Sequence, residues 1–137
     1  MDFSLKKEEI IKLKTTLNSV YKNGKVVKNF PLKIKWTPIQ TENNTPIQIV
    51  FSVPKRQFKS AVKRNMIKRK LREIYRLNNH KLKEELTKQN LQIGIMLTYT
   101  SNEIPEYSLL EKKWDKISDN LISKIQTTET EPKWNYH

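Results

Sequence analysis

The arginines of this chain occupy one short segment. All five lie between positions 56 and 76, whereas lysines are spread along the whole length. A guanidinium group presents a rigid planar fork of donors that matches phosphate oxygens and stacks on bases, whereas an ammonium is a hydrated point charge. A surface that served only for solubility would have no reason to concentrate guanidinium groups, so the segment indicates contact with a polyanion. The five residues are Arg56, Arg64, Arg69, Arg72 and Arg76.

The same segment is basic throughout. Of the 22 residues from 55 to 76, ten are Lys or Arg and one, Glu73, is acidic. On a helix, residues at four-residue steps share a side, and each like-charged pair at that step costs about 0.2–0.5 kcal/mol. A bound phosphate chain would turn this repulsion into attraction. The basic stripe comprises Arg64, Lys68, Arg72 and Arg76, with Asn65 and Arg69 in a parallel row, and Ile67, Leu71 and Ile74 form a separate apolar side.

The overall composition agrees with a nucleic-acid partner. The chain has 137 residues, enough for one domain with a modest core, and a formal net charge of +13. No apolar run approaches the roughly 18 residues of a membrane span, the first residues lack the apolar stretch of a secretory signal, and cysteine is absent. These features predict a cytoplasmic protein with no membrane partner and no thiolate metal site.

The sequence lacks the residues that would make the protein itself a nuclease. Such a site needs clustered carboxylates for metal ions or a positioned histidine. His80 and His137 lie just after the basic segment and at the end of the chain, and the adjacent acids Glu84 and Glu85 would diverge on a helix. No glycine-rich phosphate loop is present. We therefore predict no catalytic residue and no metal site in the protein.

Periodicity predicts the elements that position the stripe. We expect Gly24 to close the first helix in a left-handed conformation, Ser60 to cap the second helix, and the first two strands to pair as a hairpin. The order α-β-β-(β)-α-β-α predicts a single-domain α/β sandwich of the α+β class with a small mixed sheet, covering 1–125 and followed by a mobile tail, 126–137. The predicted helices are 4–23, 60–78 and 106–125, and the predicted strands are 32–36, 47–53 and 91–99.

One stretch of the sequence resembles a known family. The segment F-S-V-P-K-R (51–56) precedes the run A-V-x-R-N-x-x-K-R-x-x-R (61–72), which is similar to the bacterial ribonuclease P protein subunit and its R-N-R signature helix. The resemblance is specific over 51–76 and extends more loosely to 20–25, to 91–99 and to the last helix. The family usually has arginine at the position of Met66, so the contact made by that arginine is missing here.

The resemblance implies a fold and an activity. The family fold is an α/β sandwich with a left-handed β-α-β crossover. One protein monomer per ribonucleoprotein assembles with a catalytic RNA, and the complex removes the 5′ leader of precursor tRNA. The RNA and its Mg²⁺ ions perform the phosphodiester hydrolysis. The implied role is therefore that of the protein component of an endoribonuclease, with no cofactor bound by the protein alone.

The resemblance implies two binding surfaces, assigned by the positions that align with the family. The signature helix and the loop before it would contact the catalytic RNA, and a cleft between the first helix and the sheet would hold the single-stranded leader. An ungapped alignment with the family directs Lys33 and Lys35 into that cleft and turns Leu32, Ile34 and Trp36 to the core. A shift of one residue would reverse the two sets. The implied RNA-binding residues are Lys55, Arg56, Arg64, Asn65, Lys68, Arg69, Arg72 and Arg76, and the implied cleft residues are Leu17, Tyr21, Lys33 and Lys35.

Two other functions fit the same basic helix. A structural RNA-binding protein, of the ribosomal or double-stranded-RNA type, would recognise duplex shape and be indifferent to a single-stranded 5′ extension. A DNA-binding regulator would prefer particular sequences, and Arg64 or Arg72 would then confer base choice. On residues alone, Tyr21 fits either a base-stacking role or simple packing at a helix end.

Overall fold

The computed structural model describes residues 14–40 and 45–128. Four helices and four strands lie in the order α-β-β-β-α-α-β-α. They are α1 (Lys14–Asn23), β1 (Lys25–Asn29), β2 (Leu32–Pro38), β3 (Ile47–Ser52), α2 (Ala61–Leu77), α3 (His80–Lys88), β4 (Ile93–Tyr99) and α4 (Tyr107–Thr128). This is the predicted α+β architecture, with two differences. The third strand before α2 is β1, which precedes the two strands predicted there instead of following them, and α3 is a helix that the sequence pattern did not reveal.

The strands form one mixed sheet in the order β1-β2-β4-β3. Strand β2 is antiparallel to both β1 and β4, whereas β3 is parallel to β4. The predicted hairpin between 32–36 and 47–53 is therefore wrong. Alternation specifies which face of a strand is buried but not its partner, and the true hairpin joins β1 to β2 through the turn Phe30–Pro31. The chain crosses from β3 to β4 through α2 and α3, and the handedness of this crossover stays a prediction of the resemblance.

The main core lies between one face of the sheet and helices α2, α3 and α4. On β2, Leu32, Ile34 and Trp36 are at most 2% exposed, which confirms the predicted facing of this strand. Tyr75 of α2 packs edge-on against Trp114 of α4, with 5.8 Å between the ring centroids. Each large side chain buried in this way contributes about 1.5–3 kcal/mol. This burial holds α2 in place despite the charge along its outer side.

Helix α1 lies on the opposite face of the sheet, where Val20 is fully buried. A Cβ added to Gly94 would lie 2.8 Å from Val20 Cγ2, and a Cβ added to Gly24 would lie 2.2 Å from the Val20 carbonyl oxygen. The left-handed conformation predicted for Gly24 is wrong, because neither glycine has a positive φ. Glycine is needed there because the backbone itself approaches the last turn of α1.

The remaining helix predictions agree with the structure within a few residues. Ser60 caps α2 as predicted, since its hydroxyl accepts a hydrogen bond from the Lys63 backbone N–H at 3.3 Å. Helix α4 continues to Thr128, three residues into the segment predicted as a tail. The predicted helix before Lys14 and the rest of that tail lie outside the described residues. Among the helices that are described, none is long and apolar enough to cross a membrane.

Candidate nucleic-acid interface

Helix α2 presents two sides of opposite character. Ile67, Leu71 and Ile74 are at most 2% exposed and face the core, as the spacing predicts. The basic stripe lies away from this buried side. The structure therefore confirms an amphipathic helix whose polar side is almost entirely cationic, held by burial and by the Ser60 cap.

Arg64 connects the stripe to the loop that precedes α2. Its Nη1 donates hydrogen bonds to the carbonyl oxygens of Phe58, at 2.8 Å, and Lys59, at 2.9 Å. Phe58 is itself anchored, because its ring stacks on Tyr99 with 6.3 Å between centroids. We call residues 54–60 the basic loop, since three exposed cations lie on it. Those cations are Lys55, Arg56 and Lys59. Arg64 thus holds the basic loop beside the helix.

Two further cations of α2 also make contacts within the protein. Arg76 Nη2 forms an ion pair with Glu73 Oε1 at 2.5 Å. Lys70 Nζ donates to the carbonyl oxygen of Pro105 at 3.1 Å, which ties α2 to the segment before α4. Both contacts leave these side chains less freedom to reorient toward a ligand.

The middle of the stripe points outward. Arg72 is exposed, and its guanidinium lies 5.7 Å from the centroid of the Phe51 ring, a contact made without a hydrogen bond to any described residue. Within the described residues, the side chains of Asn65, Lys68 and Arg69 have no hydrogen bond or ion pair. Met66 is half-buried at the margin of this surface. The structure therefore brings the predicted RNA-binding residues together around α2 and gives Arg64 and Arg76 additional intramolecular roles.

The second predicted surface lies between α1 and the sheet. Tyr21, at the end of α1, is 63% exposed. Lys35 of β2 donates from Nζ to the Tyr21 carbonyl oxygen at 2.9 Å, and the same ammonium lies 4.5 Å from the centroid of the Tyr21 ring. Because the cation covers one side of the ring, the other side is left for a stacking partner. An exposed, cation-braced ring favours the platform interpretation of Tyr21 over packing at a helix end.

The other cleft residues lie where the alternation predicted. Lys33 and Lys35 are half-buried on the α1 side of the sheet, opposite the core. Thr37 shares that side and pairs in register with Gly94, on which Val20 rests. Leu17 of α1 is half-buried. Two of the four predicted cleft residues thus lie on α1 and two on the face of the sheet that α1 covers.

Sequence reasoning missed Lys28, which lies on β1 directly opposite Lys33. The signal was present in the run Lys25-Val26-Val27-Lys28-Asn29, but only Val27 of this strand is buried, so the alternation is weak. The spacing of the first helix does put Val20 on its apolar face. The contact of Val20 with Gly94, which seats α1 on the sheet, could not be predicted from the sequence because it depends on how the elements pack.

Three groups in the described part of the chain have pKa values displaced away from neutral pH. Burial raises the pKa of Tyr99, whose hydroxyl donates to the Glu103 carbonyl oxygen at 2.6 Å. Burial and the nearby Glu111 also raise the pKa of Tyr107, while hydrogen bonds from Gln126 and Gln89 lower that of Glu85. Each shift moves the group further from the pH at which a general acid or base is effective. Across 14–40 and 45–128, no three His, Asp or Glu residues are grouped to hold a metal ion.

Comparisons with known proteins agree with this architecture. A family model for ribonuclease P matches residues 5–121. The ribonuclease P protein component of Porphyromonas gingivalis is 32% identical over 126 residues, covering 92% of each chain. That of Chlorobium phaeobacteroides is 27% identical over 128 residues, covering 86% of this chain and 88% of the other. The solved ribonuclease P protein of Staphylococcus aureus shares the fold, with a TM-score of 0.63 at 21% identity over 84% of this chain and 96% of the other.

The family model covers most of the chain, and the Porphyromonas gingivalis relative aligns over nearly its full length. The resemblance first seen at the signature helix is thereby confirmed. This chain belongs to the ribonuclease P protein family.

Proposed function

We propose that this chain is the protein subunit of ribonuclease P, which binds a catalytic RNA and the 5′ leader of precursor tRNA and promotes removal of that leader. The observation that carries the proposal is the cationic side of α2, anchored by its core-facing side and coupled to the basic loop through Arg64. Such a surface suits a phosphate backbone, because guanidinium groups fixed in place lose little entropy on binding.

The cleft supplies the second half of the proposal. A groove that combines lysines with one exposed tyrosine matches the requirements of single-stranded nucleic acid, which is held by cations along its backbone and by stacking of its bases. Tyr21, Lys33 and Lys35 provide both kinds of contact on one side of the sheet. Binding of the leader here would favour precursor over mature tRNA, since the mature molecule lacks this segment.

The chemistry itself is assigned to the RNA. In the proposed complex the catalytic RNA holds the Mg²⁺ ions and performs the hydrolysis, and the protein contributes binding. Neutralising phosphates at the RNA–protein interface lowers the repulsion that Mg²⁺ would otherwise have to screen. The protein should therefore reduce the Mg²⁺ concentration that cleavage requires.

The test is cleavage of a precursor tRNA by the cognate catalytic RNA at low Mg²⁺, with and without the protein. Accurate 5′ maturation that appears only with the protein supports the proposal. Tight RNA binding with no stimulation contradicts it and favours a structural RNA-binding protein. Sequence-preferring binding to duplex DNA would instead favour the regulator.

A salt titration tests whether α2 is the contact. Replacing Arg72 by Gln removes one exposed cation, so the slope of log K against log salt for RNA binding should decrease by about 0.7–0.9. The matched control is Lys124→Gln, which removes the charge of an exposed lysine on α4. An equal change in both variants would mean that general charge, and not the stripe, drives binding.

A further inference from the structure

The β1–β2 hairpin adds one cation, Lys28, that lies outside both proposed surfaces and next to Lys33 of the cleft. Lys28 and Lys33 are direct cross-strand partners on the α1 side of the sheet. Phe30, in the turn that joins the two strands, is 67% exposed. Between positions 14 and 40 the chain has no acidic residue. The tip of the hairpin therefore combines two adjacent ammonium groups with an aromatic ring open to solvent.

This combination is unfavourable in the protein alone. Like charges directly opposite each other destabilise an antiparallel pair, and the described residues give neither lysine side chain a hydrogen bond or ion pair. A large exposed ring also leaves apolar surface in water. A ligand with closely spaced anionic groups and flat apolar faces would offset both effects. Single-stranded nucleic acid has both properties.

The hairpin tip also continues the cleft. Lys33 and Lys35 lie on the same side of β2, two residues or about 6.6 Å apart. Lys35 contacts Tyr21, whereas Lys33 faces Lys28 across the hairpin. A path from Tyr21 along β2 therefore passes Lys35 and then Lys33 and reaches the turn that contains Phe30.

We propose that Lys28, Lys33 and Phe30 form a distal subsite for the single-stranded 5′ leader. The two ammonium groups bind the leader's phosphates and the phenyl ring stacks on a base, beyond the nucleotides that reach Tyr21. The subsite rests on the proposed function and extends it, because it requires the leader to lie across the β1–β2 hairpin as well as along α1.

The experiment measures affinity for precursor tRNAs whose leaders are shortened one nucleotide at a time, using the complex of protein and catalytic RNA. The variants are the double substitution Lys28→Gln with Lys33→Gln and, separately, Phe30→Ala. The matched charge control is Lys112→Gln with Lys116→Gln, an exposed pair on α4 across the sheet from the cleft. Thermal unfolding of each protein checks that the hairpin is intact.

With a long leader, Phe30→Ala should weaken binding about 5- to 150-fold, the range for loss of one stacked base. The lysine variant should reduce the salt slope by about 0.7 to 1.4, corresponding to one or two phosphates of a single strand. Both effects should disappear at the same leader length, when the RNA no longer reaches the hairpin. The control should show no dependence on leader length.

Effects that persist on mature tRNA would overturn the subsite, because the hairpin would then contact the tRNA body or the catalytic RNA. Effects no larger than those of the control would also overturn it. In both cases the wild-type complex would still prefer leader-bearing tRNA, so the proposed function would stand. If the wild-type complex itself shows no such preference, the proposed function fails and the subsite fails with it.

Discussion

The two cationic surfaces of this protein use different cations. On α2 and the basic loop, all five guanidinium groups of the chain lie within 21 positions, and Arg64 also bonds to the backbone. In the cleft and on the hairpin, every cation from 14 to 40 is a lysine. Arginine suits contacts of fixed geometry, whereas lysine provides charge with few demands on orientation. The difference fits the proposed function, in which α2 contacts an RNA of defined shape and the cleft holds a variable single strand.

The largest effect that would test this comparison is expected from Arg64→Lys. An ammonium cannot keep both carbonyl bonds and face the RNA, and a lost hydrogen bond to a charged group costs about 1.5–3 kcal/mol. We expect affinity for the catalytic RNA to decrease roughly 10- to 100-fold. Arg69→Lys, which keeps an exposed charge without intramolecular bonds, should change it much less. Equal effects in filter binding would show that Arg64 does not act through the basic loop.

Next in size is Tyr21→Ala. Removing the platform should reduce the preference for leader-bearing over mature tRNA by about 1–3 kcal/mol, while affinity for mature tRNA stays the same. Tyr21→Phe keeps the ring and should behave as wild type. A preference that survives the loss of the ring would remove Tyr21 from the leader site and weaken the contrast between the two surfaces.

A smaller effect is expected from Lys35→Met, which retains an aliphatic chain but removes the cation beside Tyr21. Cation–π contacts at exposed sites contribute about 0.5–1 kcal/mol, so the leader preference should decrease by this amount. Lys35→Arg should restore it. In a double-mutant cycle with Tyr21→Ala the two losses should not add. Additive losses would mean that Lys35 binds RNA independently of the ring.

The smallest effect should come from Lys33→Arg. If the cleft needs only charge, this change should alter leader affinity by less than about 0.5 kcal/mol. The reverse exchange on α2, Arg72→Lys, should weaken binding to the catalytic RNA measurably, because a planar fork is lost. Parallel titrations of both variants compare the surfaces directly. Similar responses would mean that arginine and lysine are interchangeable here.

The sequence predicted the features that depend on local pattern. The apolar side of α2 and its Ser60 cap follow from spacing within one helix, and the facing of Lys33 and Lys35 follows from the alternation on β2. The pairing of the strands in the sheet could not be predicted in the same way. Nothing in the residues of β3 specifies β4 as its neighbour in place of β2, and β1 has too few buried residues to stand out.

The intramolecular bonds of the stripe were also beyond the sequence. Arg64 reaches back to carbonyl groups five and six residues earlier, which depends on how the basic loop folds over Tyr99. Helix α3 was not predicted because only Leu82 and Leu86 mark its buried side over nine residues. The prediction of a left-handed Gly24 was wrong because glycine is needed there for the close approach of Val20 and not for a turn of the backbone.

That close approach has a kinetic consequence. Gly94 of β4 lies against Val20, so α1 rests on the sheet through a contact that leaves no room for a methyl group. The opening between helix and sheet is thus set by the backbone before any RNA arrives. A preformed groove does not have to close when the RNA binds. The entropy lost on ordering is then that of the RNA strand alone. Association rates should then vary with the stiffness of the leader and hardly at all with motions of the protein.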